Sequence, residues 1–563
     1  MFAPLIVASV VPDRLQRPQN PDTSPVAKDQ GDTLYDNLYD NLYDNLMTTW
    51  QGIMLHSRDW LKIGKALLAT LSLFLYFAYL SALLRKPVDA RIQQLHQFGV
   101  LLAGSLGVFL AAASYVWSCR WRPERFFLML FVPISLAMMV LMPIGRVPDE
   151  EAHLARAYLV SRGHIFGSAL HHAPQPSNLF PRNVSGQHIT LHVLFKGRCE
   201  ALEQDTGNPV PAWENTGIYP VNNYFPQALG IAVVKGFTNN RLAVLYGARF
   251  GGWLFVLALL YHAIRMSPWG KWVLCNLSLL PMMLQESISA SADGMAVAVA
   301  AVFVAFVLKY RHSPLRFGAV QYAAMFMLTF LVVTVKVFYC FLAPLLLTLP
   351  VACFGNRKRK AIAEMAVFGS ILSMACLWIW LHIAVYASDA DSRMATCVLP
   401  QLAAMAASPV KFPAILYHTC IEHWQFYLET LFGAWLSWFN LSVPRKFAWM
   451  WLALFAATLY RDRRCSPMPS PVRFQLLMAG LSLLSAIALF LGLYVWWTSP
   501  EDSFIKGIQG RYFIPLLFPL ALSVPCRKAE PADHPRPDLG LELAAMALLD
   551  CAVLATLLHQ IAI

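Results

Sequence analysis

Charge is scarce in this chain. Asp, Glu, Lys and Arg make up 13% of its 563 residues and apolar residues 57%, whereas soluble domains carry about a quarter charged residues. That excludes a soluble fold and makes an all-α polytopic membrane protein the expectation. Recognisable metal and disulfide patterns are also missing. The eleven cysteines form no CxxC pair, and most, such as Cys275, Cys340 and Cys376, lie inside apolar runs where they read as small core residues. Cys199, Cys397 and Cys420 fall in segments expected on the oxidising side. His164, His171, His172, His188 and His192 make one loop histidine-rich, but no HExxH or comparable spacing occurs. No cofactor is therefore called for by pattern, and a divalent metal stays open. The opening FAPLIVASVV has no basic n-region, so it is not expected to be a signal peptide.

What is present is a series of apolar runs. A bilayer core takes about 20 apolar residues per helix, and stretches 66–84, 98–118, 126–144, 242–264, 291–309, 364–386, 473–497 and 541–562 meet that length. Shorter segments at 272–286, 319–335, 337–354, 446–460 and 511–525 bring the expected count to about thirteen. The net charge of +12 does not indicate nucleic acid, because the basic residues sit in short loops between the runs. Arg120, Arg122 and Arg125, then Arg311 and Arg316, Arg357 to Lys360, Arg461 to Arg464, and Arg527 with Lys528 fall on one side when spans alternate, which makes that side cytoplasmic. Arg85, Lys86 and Arg91 disagree with this count. A multi-pass protein of the inner (plasma) membrane with a cytoplasmic N-terminus is expected.

The expected organisation is a low-complexity cytoplasmic tail (1–60, containing LYDNLYDNLYDNL) and N-terminal transmembrane helices (61–144). A long extracytoplasmic loop (145–226) comes next, then central helices (227–386), a second outer segment (387–445) and C-terminal helices (446–563). The long loop opens with an apolar pattern at near-helical spacing through Leu154, Ala157, Tyr158 and Val160, predicting an amphipathic helix on the membrane surface. Loops of this length are usually functional.

Ionisable residues at or within spans cost free energy and need a reason. Asp149, Glu150, Glu151, Glu286, Asp293, Lys336 and Arg511 all fall at outer span ends, and Arg249 lies about two turns into its span from the same side. Each has a bland explanation. The acids after Pro148 could cap a helix, although Asp149, His153 and Arg156 recur at i, i+4 and i+7 on one stripe. Lys336 either interrupts one helix or marks a turn between two, and could snorkel to headgroups. Arg511 could anchor its span, and Ser289 or Ser291 could cap the helix at Asp293. Against these stands the shared side: a lipid-linked phosphate needs cationic partners, and a shielded carboxylate suits general-base work.

In order and spacing, the blocks PDEEAHLARAYLVSRGHIFG, NNYFPQALG, SADGMAVA, TVKVFY, FGAWLSWFN with Pro444, and IQGRYFIP resemble the bacterial membrane proteins grouped as domain of unknown function 2142, over roughly residues 120–525. That family resembles the GT-C glycosyltransferases, multi-span enzymes using polyprenyl-phosphate sugar donors at the outer face. The resemblance implies an acidic catalytic residue at Asp149, with Glu150 as the fallback. Together with the shared outer face of acids and bases and the long loop, this leads to an expected inverting transfer in which Arg249, Lys336 and Arg511 bind phosphate. His153, Arg156, Tyr224, Asp293 and Gln509 would then contact substrate. The implied partners are a polyprenyl-phosphate-linked sugar, a cell-envelope glycan or lipid acceptor, and membrane lipid. A lipid-linked glycan flippase and a non-catalytic envelope-assembly protein are the alternatives. The first calls for charges at mid-membrane and paired half-helices.

Overall fold

The computed structural model describes residues 70–85, 90–117, 121–164, 179, 216, 219–386, 398–465, 471–524 and 539–561. The tyrosine repeat and the histidine-rich stretch past His164 lie outside them. The chain divides into two units, 1–72 and 73–563, and the second contains the helical bundle.

Among the described residues the architecture is helical, with one two-stranded sheet. In chain order the bundle begins with α1 (Ala90–Val116), α2 (Pro123–Leu141), α3 (Glu150–Ser161), α4 (Phe225–Lys235), α5 (Arg241–Met266), α6 (Lys271–Ser278), α7 (Pro281–Ile288), α8 (Ala292–His312) and α9 (Ala319–Val335). After a 3₁₀ helix at Val337–Thr348 come α10 (Arg357–Tyr386), α11 (Lys411–Leu431), the strands β1 (Trp435–Leu436) and β2 (Leu441–Ser442), α12 (Arg445–Cys465) and α13 (Val472–Trp497). A second 3₁₀ turn, Gly510–Phe513, leads into α14 (Ile514–Ser523), and α15 (Gly540–Ile561) closes the chain. Among the described residues seven helices are long and apolar enough to cross a membrane, and five further apolar helices are shorter.

The central element is α8, in which 18 residues from Ala292 to Tyr310 are buried. Its 21 residues run about 30 Å at 1.5 Å per residue, so its two ends mark two levels of the bundle. Ser291 caps one end by accepting a hydrogen bond from the Asp293 N–H at 3.1 Å. At the other, Arg311 donates to the Thr348 carbonyl at 2.9 Å and lies over the Phe474 ring. Lys360 donates to the Leu347 and Leu349 carbonyls at that same level.

One region departs from expectation, and a second settles which of two expected alternatives holds. The helix after Pro148 forms, but α3 is buried along Ala152–Leu159 as well as at Glu150. It is packed into the protein against α4 and does not lie on a membrane surface. Its hydrophobic positions cover more than one face, since Ala152, Ala155 and Leu159 are buried as well as Leu154, Ala157 and Tyr158. At Lys336 the chain turns: α9 ends at Val335, Lys336 is extended (φ −150°, ψ 127°), and the 3₁₀ helix begins. The broken pair α6 and α7 has the same character, with Pro281 opening the second piece.

Candidate functional site

Five charged side chains from five separate parts of the chain meet at the Asp293 end of α8. Arg511 is the hub. Its Nη2 lies 3.1 Å from Asp149 Oδ2, its Nη1 3.3 Å from Glu286 Oε1, and its Nε 3.3 Å from Asp293 Oδ2. Lys336 pairs with the other oxygen of Asp293. The Lys336 ammonium also sits 4.2 Å from the Tyr512 ring centroid, and the Arg511 guanidinium 5.2 Å from it. Each group is explained by its backbone. Arg511 is carried on the 3₁₀ turn whose Gly510 N–H donates to Thr430 Oγ1 at 2.9 Å. A Cβ at position 510 would come within 2.2 Å of Leu431 N and Tyr427 O. Gly294 likewise lets α8 approach α7, because a Cβ there would lie 2.6 Å from the Glu286 carbonyl.

Burial distinguishes the members. The side chains of Arg511, Glu286, Asp293 and Lys336 are 3%, 1%, 9% and 10% exposed, while Asp149 is 37% exposed. Lys336 therefore does not snorkel to lipid, and Arg511 is no surface anchor. With three carboxylates against two cations, the cluster carries one excess negative charge when all are ionised. Asp149 is the member that faces out. Its backbone is left-handed (φ 62°, ψ 2°), and its side chain makes no capping bond to α3. Such strain in a non-glycine residue costs of order 1 kcal/mol and collects at functional sites. Capping does not explain this carboxylate; its partner is Arg511.

The adjacent Glu150 has a different fate. It is 0% exposed and pairs with Arg249, also 0% exposed, through Nε at 2.7 Å and Nη2 at 2.6 Å. Its oxygens also accept from the Gly145 and Ala290 N–H groups at 2.8 and 3.2 Å. Arg249 is completed by the carbonyls of Met139, Met142 and Pro143. All four hydrogen bonds accepted by Glu150 come from within the protein, and neither member of the pair is exposed to a ligand. The pair fastens α5 to the 142–150 turn, holding Asp149 from behind.

The remaining candidates surround this core. His153 is buried, and its Nδ1 lies 2.8 Å from the hydroxyl of Tyr224, which is itself fully buried. Burial lowers the His153 pKa to about 4, so the ring is neutral near pH 7. The Tyr219 hydroxyl alongside is pushed up to about 12 by burial. Arg156 donates to the carbonyls of His164 and Tyr219 at 3.1 and 3.4 Å and so closes the chain leaving α3. Gln509 is half-buried next to Arg511, and none of its side-chain atoms is hydrogen-bonded among the described residues. No group of three or more His, Cys, Asp or Glu side chains that could hold a metal ion occurs among the described residues.

Glu286 and Tyr512 are the members of the site that sequence reasoning does not assign. Glu286 reads from the sequence only as an outer-end acid, and its Oε2 is buried without a hydrogen-bond partner. The sequence blocks interlock around the cluster. Asn223 donates to the Thr334 and Val335 carbonyls just before Lys336, and Asn222 to Thr334 Oγ1. Tyr339 donates to the Tyr512 carbonyl at 2.8 Å. The β1–β2 hairpin is tied down by Ser437, whose N–H donates to Gln285 Oε1 and whose hydroxyl donates to the Arg146 carbonyl, both at 2.7 Å.

A helical membrane protein whose motifs build one charged cluster at one end of a buried central helix is the class that fold and site define. The chain belongs to the family of predicted membrane proteins called domain of unknown function 2142, whose model matches residues 130–520. No curated protein and no solved structure matches the chain.

Proposed function

We propose that the protein is a GT-C-like, inverting glycosyltransferase of the inner membrane. It takes a sugar from a polyprenyl-phosphate donor and transfers it to a cell-envelope glycan or lipid on the outer face. In this topology the thirteen apolar stretches are all crossings, the N-terminus is cytoplasmic, and the Asp293 end of α8 faces outward while the Arg311 end meets the cytoplasm. The observation that carries the proposal is Asp149: a strained, partly exposed carboxylate held 3.1 Å from a buried arginine.

The chemistry follows from the charge balance. The donor phosphate competes with Asp149 for the Nη2 of Arg511, and Lys336 adds a second cation next to it. Arg511 stays in place on Glu286 and Asp293 while Asp149 is released. The freed carboxylate takes the proton of the acceptor hydroxyl as that oxygen attacks the anomeric carbon. The bond from the anomeric carbon to the phosphate oxygen breaks with its electron pair on the oxygen, where Arg511 and Lys336 stabilise it. Gln509, the unpartnered Glu286 Oε2 and Asp293 are the polar groups on hand for sugar hydroxyls. His153, Arg156 and Tyr224 position α3, and Glu150 with Arg249 fixes the turn that presents Asp149.

Transport of a lipid-linked glycan calls for charges near the middle of the bundle. Asp293 instead stands in the first turn of a helix about 30 Å long, which favours chemistry at one membrane face. The test is Asp149→Asn at unchanged membrane expression. Loss of the glycosylated surface product is expected, and an undiminished product sinks the assignment.

A further inference from the structure

Next to the charged cluster, and separate from it, is an open cavity of about 370 Å³. Sites that hold small organic ligands run from roughly 300 to 1,000 Å³. Aromatic rings form part of its wall: Trp435 from β1, Phe439 from the hairpin tip, and Phe426 from α11, with Phe426 and Phe439 packed edge to face at 5.4 Å. The polar part comes from one stripe of α11, where Glu422, Gln425 and Glu429 recur at i, i+3 and i+7, and from Arg445 at the start of α12.

These groups are not equivalent. Glu429 is buried, and its carboxylate is fixed by Gln425 Nε2 and Trp435 Nε1, each at 2.9 Å. Arg445 stands 3.6 Å from it and 5.4 Å from the Trp435 centroid. Glu422 is exposed, and its side chain has no ion pair or hydrogen bond among the described residues. The aromatic side is held by strain: Phe439 has φ 62° and Ser437 φ 58°, conformations rare for any residue other than glycine and exceptional for a bulky one. Packing that keeps a phenylalanine left-handed at a cavity wall points to a use for the ring.

We infer that this cavity is a saccharide subsite, in which a pyranose ring of the acceptor lies against Trp435 and Phe439. Its hydroxyls would bond to Glu422, to Gln425 and to the rim of Glu429. This rests on the glycosyltransferase reading and names where the acceptor is held. The lining selects the class. A purely apolar ligand would strand a buried carboxylate, and a phosphate would meet two carboxylates and a single arginine. An organic cation would meet the like charge of Arg445, whose guanidinium stands 5.4 Å from the Trp435 centroid. A neutral ring with one apolar face and an edge of hydroxyls matches both halves. The location agrees as well. The hairpin that carries Trp435 and Phe439 on this side also holds the Arg146 carbonyl, three residues before Asp149, and Gln285, next to Glu286.

The experiment uses the full chain in lipid nanodiscs and saturation-transfer NMR with a panel of methyl pyranosides (hexoside, 6-deoxyhexoside and N-acetylaminohexoside), with tetramethylammonium as the competing chemistry. The expected result is saturation of the ring protons of at least one glycoside, with affinity in the millimolar range. Phe439→Gly keeps the left-handed backbone and removes the ring. It should weaken that signal about fivefold or more, as should Glu422→Gln by a smaller factor, while Asp149→Asn leaves it intact. No saturation by any glycoside, equal saturation in Phe439→Gly, or binding of tetramethylammonium alone overturns the inference. The two readings fail separately. Glycoside binding lost in Phe439→Gly, in a protein that transfers no sugar, removes the transferase and keeps the subsite. Transfer with an acceptor KM unchanged in Phe439→Gly does the reverse.

Discussion

Replacing Asp149 with glycine should leave the protein about as stable as the parent and inactive, whereas alanine at the same position should lose both activity and stability. Residue 149 has φ 62° and ψ 2°, where a Cβ costs an ordinary L-residue about 1–2 kcal/mol. Glycine is free of that cost but has more freedom to lose from the unfolded chain, about 0.4–1 kcal/mol. Alanine should therefore fall about 0.5–1 kcal/mol below glycine. Both lose the contact with Arg511. At 37% exposure of the carboxylate that contact contributes no more than about 1 kcal/mol, and Arg511 keeps Glu286 and Asp293. Asparagine tolerates the left-handed region and should resemble glycine. The assay is thermal unfolding of the purified protein followed by tryptophan fluorescence at one scan rate, since large proteins often unfold irreversibly, together with sugar transfer in membranes. Alanine as stable as glycine would refute the left-handed backbone. Activity in the glycine variant would refute the carboxylate as the base.

Further outcomes follow from other contacts. Breaking the buried Glu150–Arg249 pair from one side, as Glu150→Gln or Arg249→Met, should cost about 3–5 kcal/mol, while the double variant Glu150→Gln with Arg249→Met should cost less than the sum of the two; a double variant as poor as the sum of the singles contradicts a closed pair. Because burial holds His153 at a pKa of about 4 against 6.5 in the unfolded chain, its contribution to stability is complete above pH 6.5 and is lost as pH falls towards 4, at about 1.4 kcal/mol per pH unit. His153→Gln should flatten the dependence of melting temperature on pH between 7 and 5, and an unchanged slope argues against it. Gly510→Ala should abolish activity or folding, given a Cβ 2.2 Å from two backbone atoms, and normal activity would show that the turn carrying Arg511 is not held as described. Both oxygens of Asp550, buried in α15, lack hydrogen-bond partners, so the apolar replacement Asp550→Leu should raise stability by about 1–3 kcal/mol, and a loss of stability counts against an unpartnered carboxylate.

The helical membrane architecture was legible because lipid exacts long apolar runs, and among the described residues seven helices are long and apolar enough to cross a membrane. The convergence of Asp149, Asp293, Lys336 and Arg511 was legible for a related reason: charge at a span end is expensive enough to be placed for a purpose, and the expected alternation of spans would put these ends on one side. The division of labour within that set was not. Asp149 and Glu150 are neighbours, and only the left-handed turn at 149 sends one carboxylate to Arg511 and the other to Arg249. No glycine announced that turn. Arg249, grouped with the phosphate binders by its depth and side, proved to be saturated by Glu150 and three carbonyls. Tyr512 carried no signal beyond following Arg511, and α3 passed for a surface helix because its buried residues include His153, Arg156 and Glu150, which hydropathy scores as polar.

The most direct test is mass spectrometry of lipid-linked sugars and of cell-surface glycans from cells with and without the protein. One sugar missing from an otherwise complete surface polymer, with the matching polyprenyl-phosphate sugar accumulated in the membrane, is the predicted result. Unchanged pools, or accumulation of a finished lipid-linked glycan still bearing that sugar, would contradict a transferase built on Asp149 and Arg511.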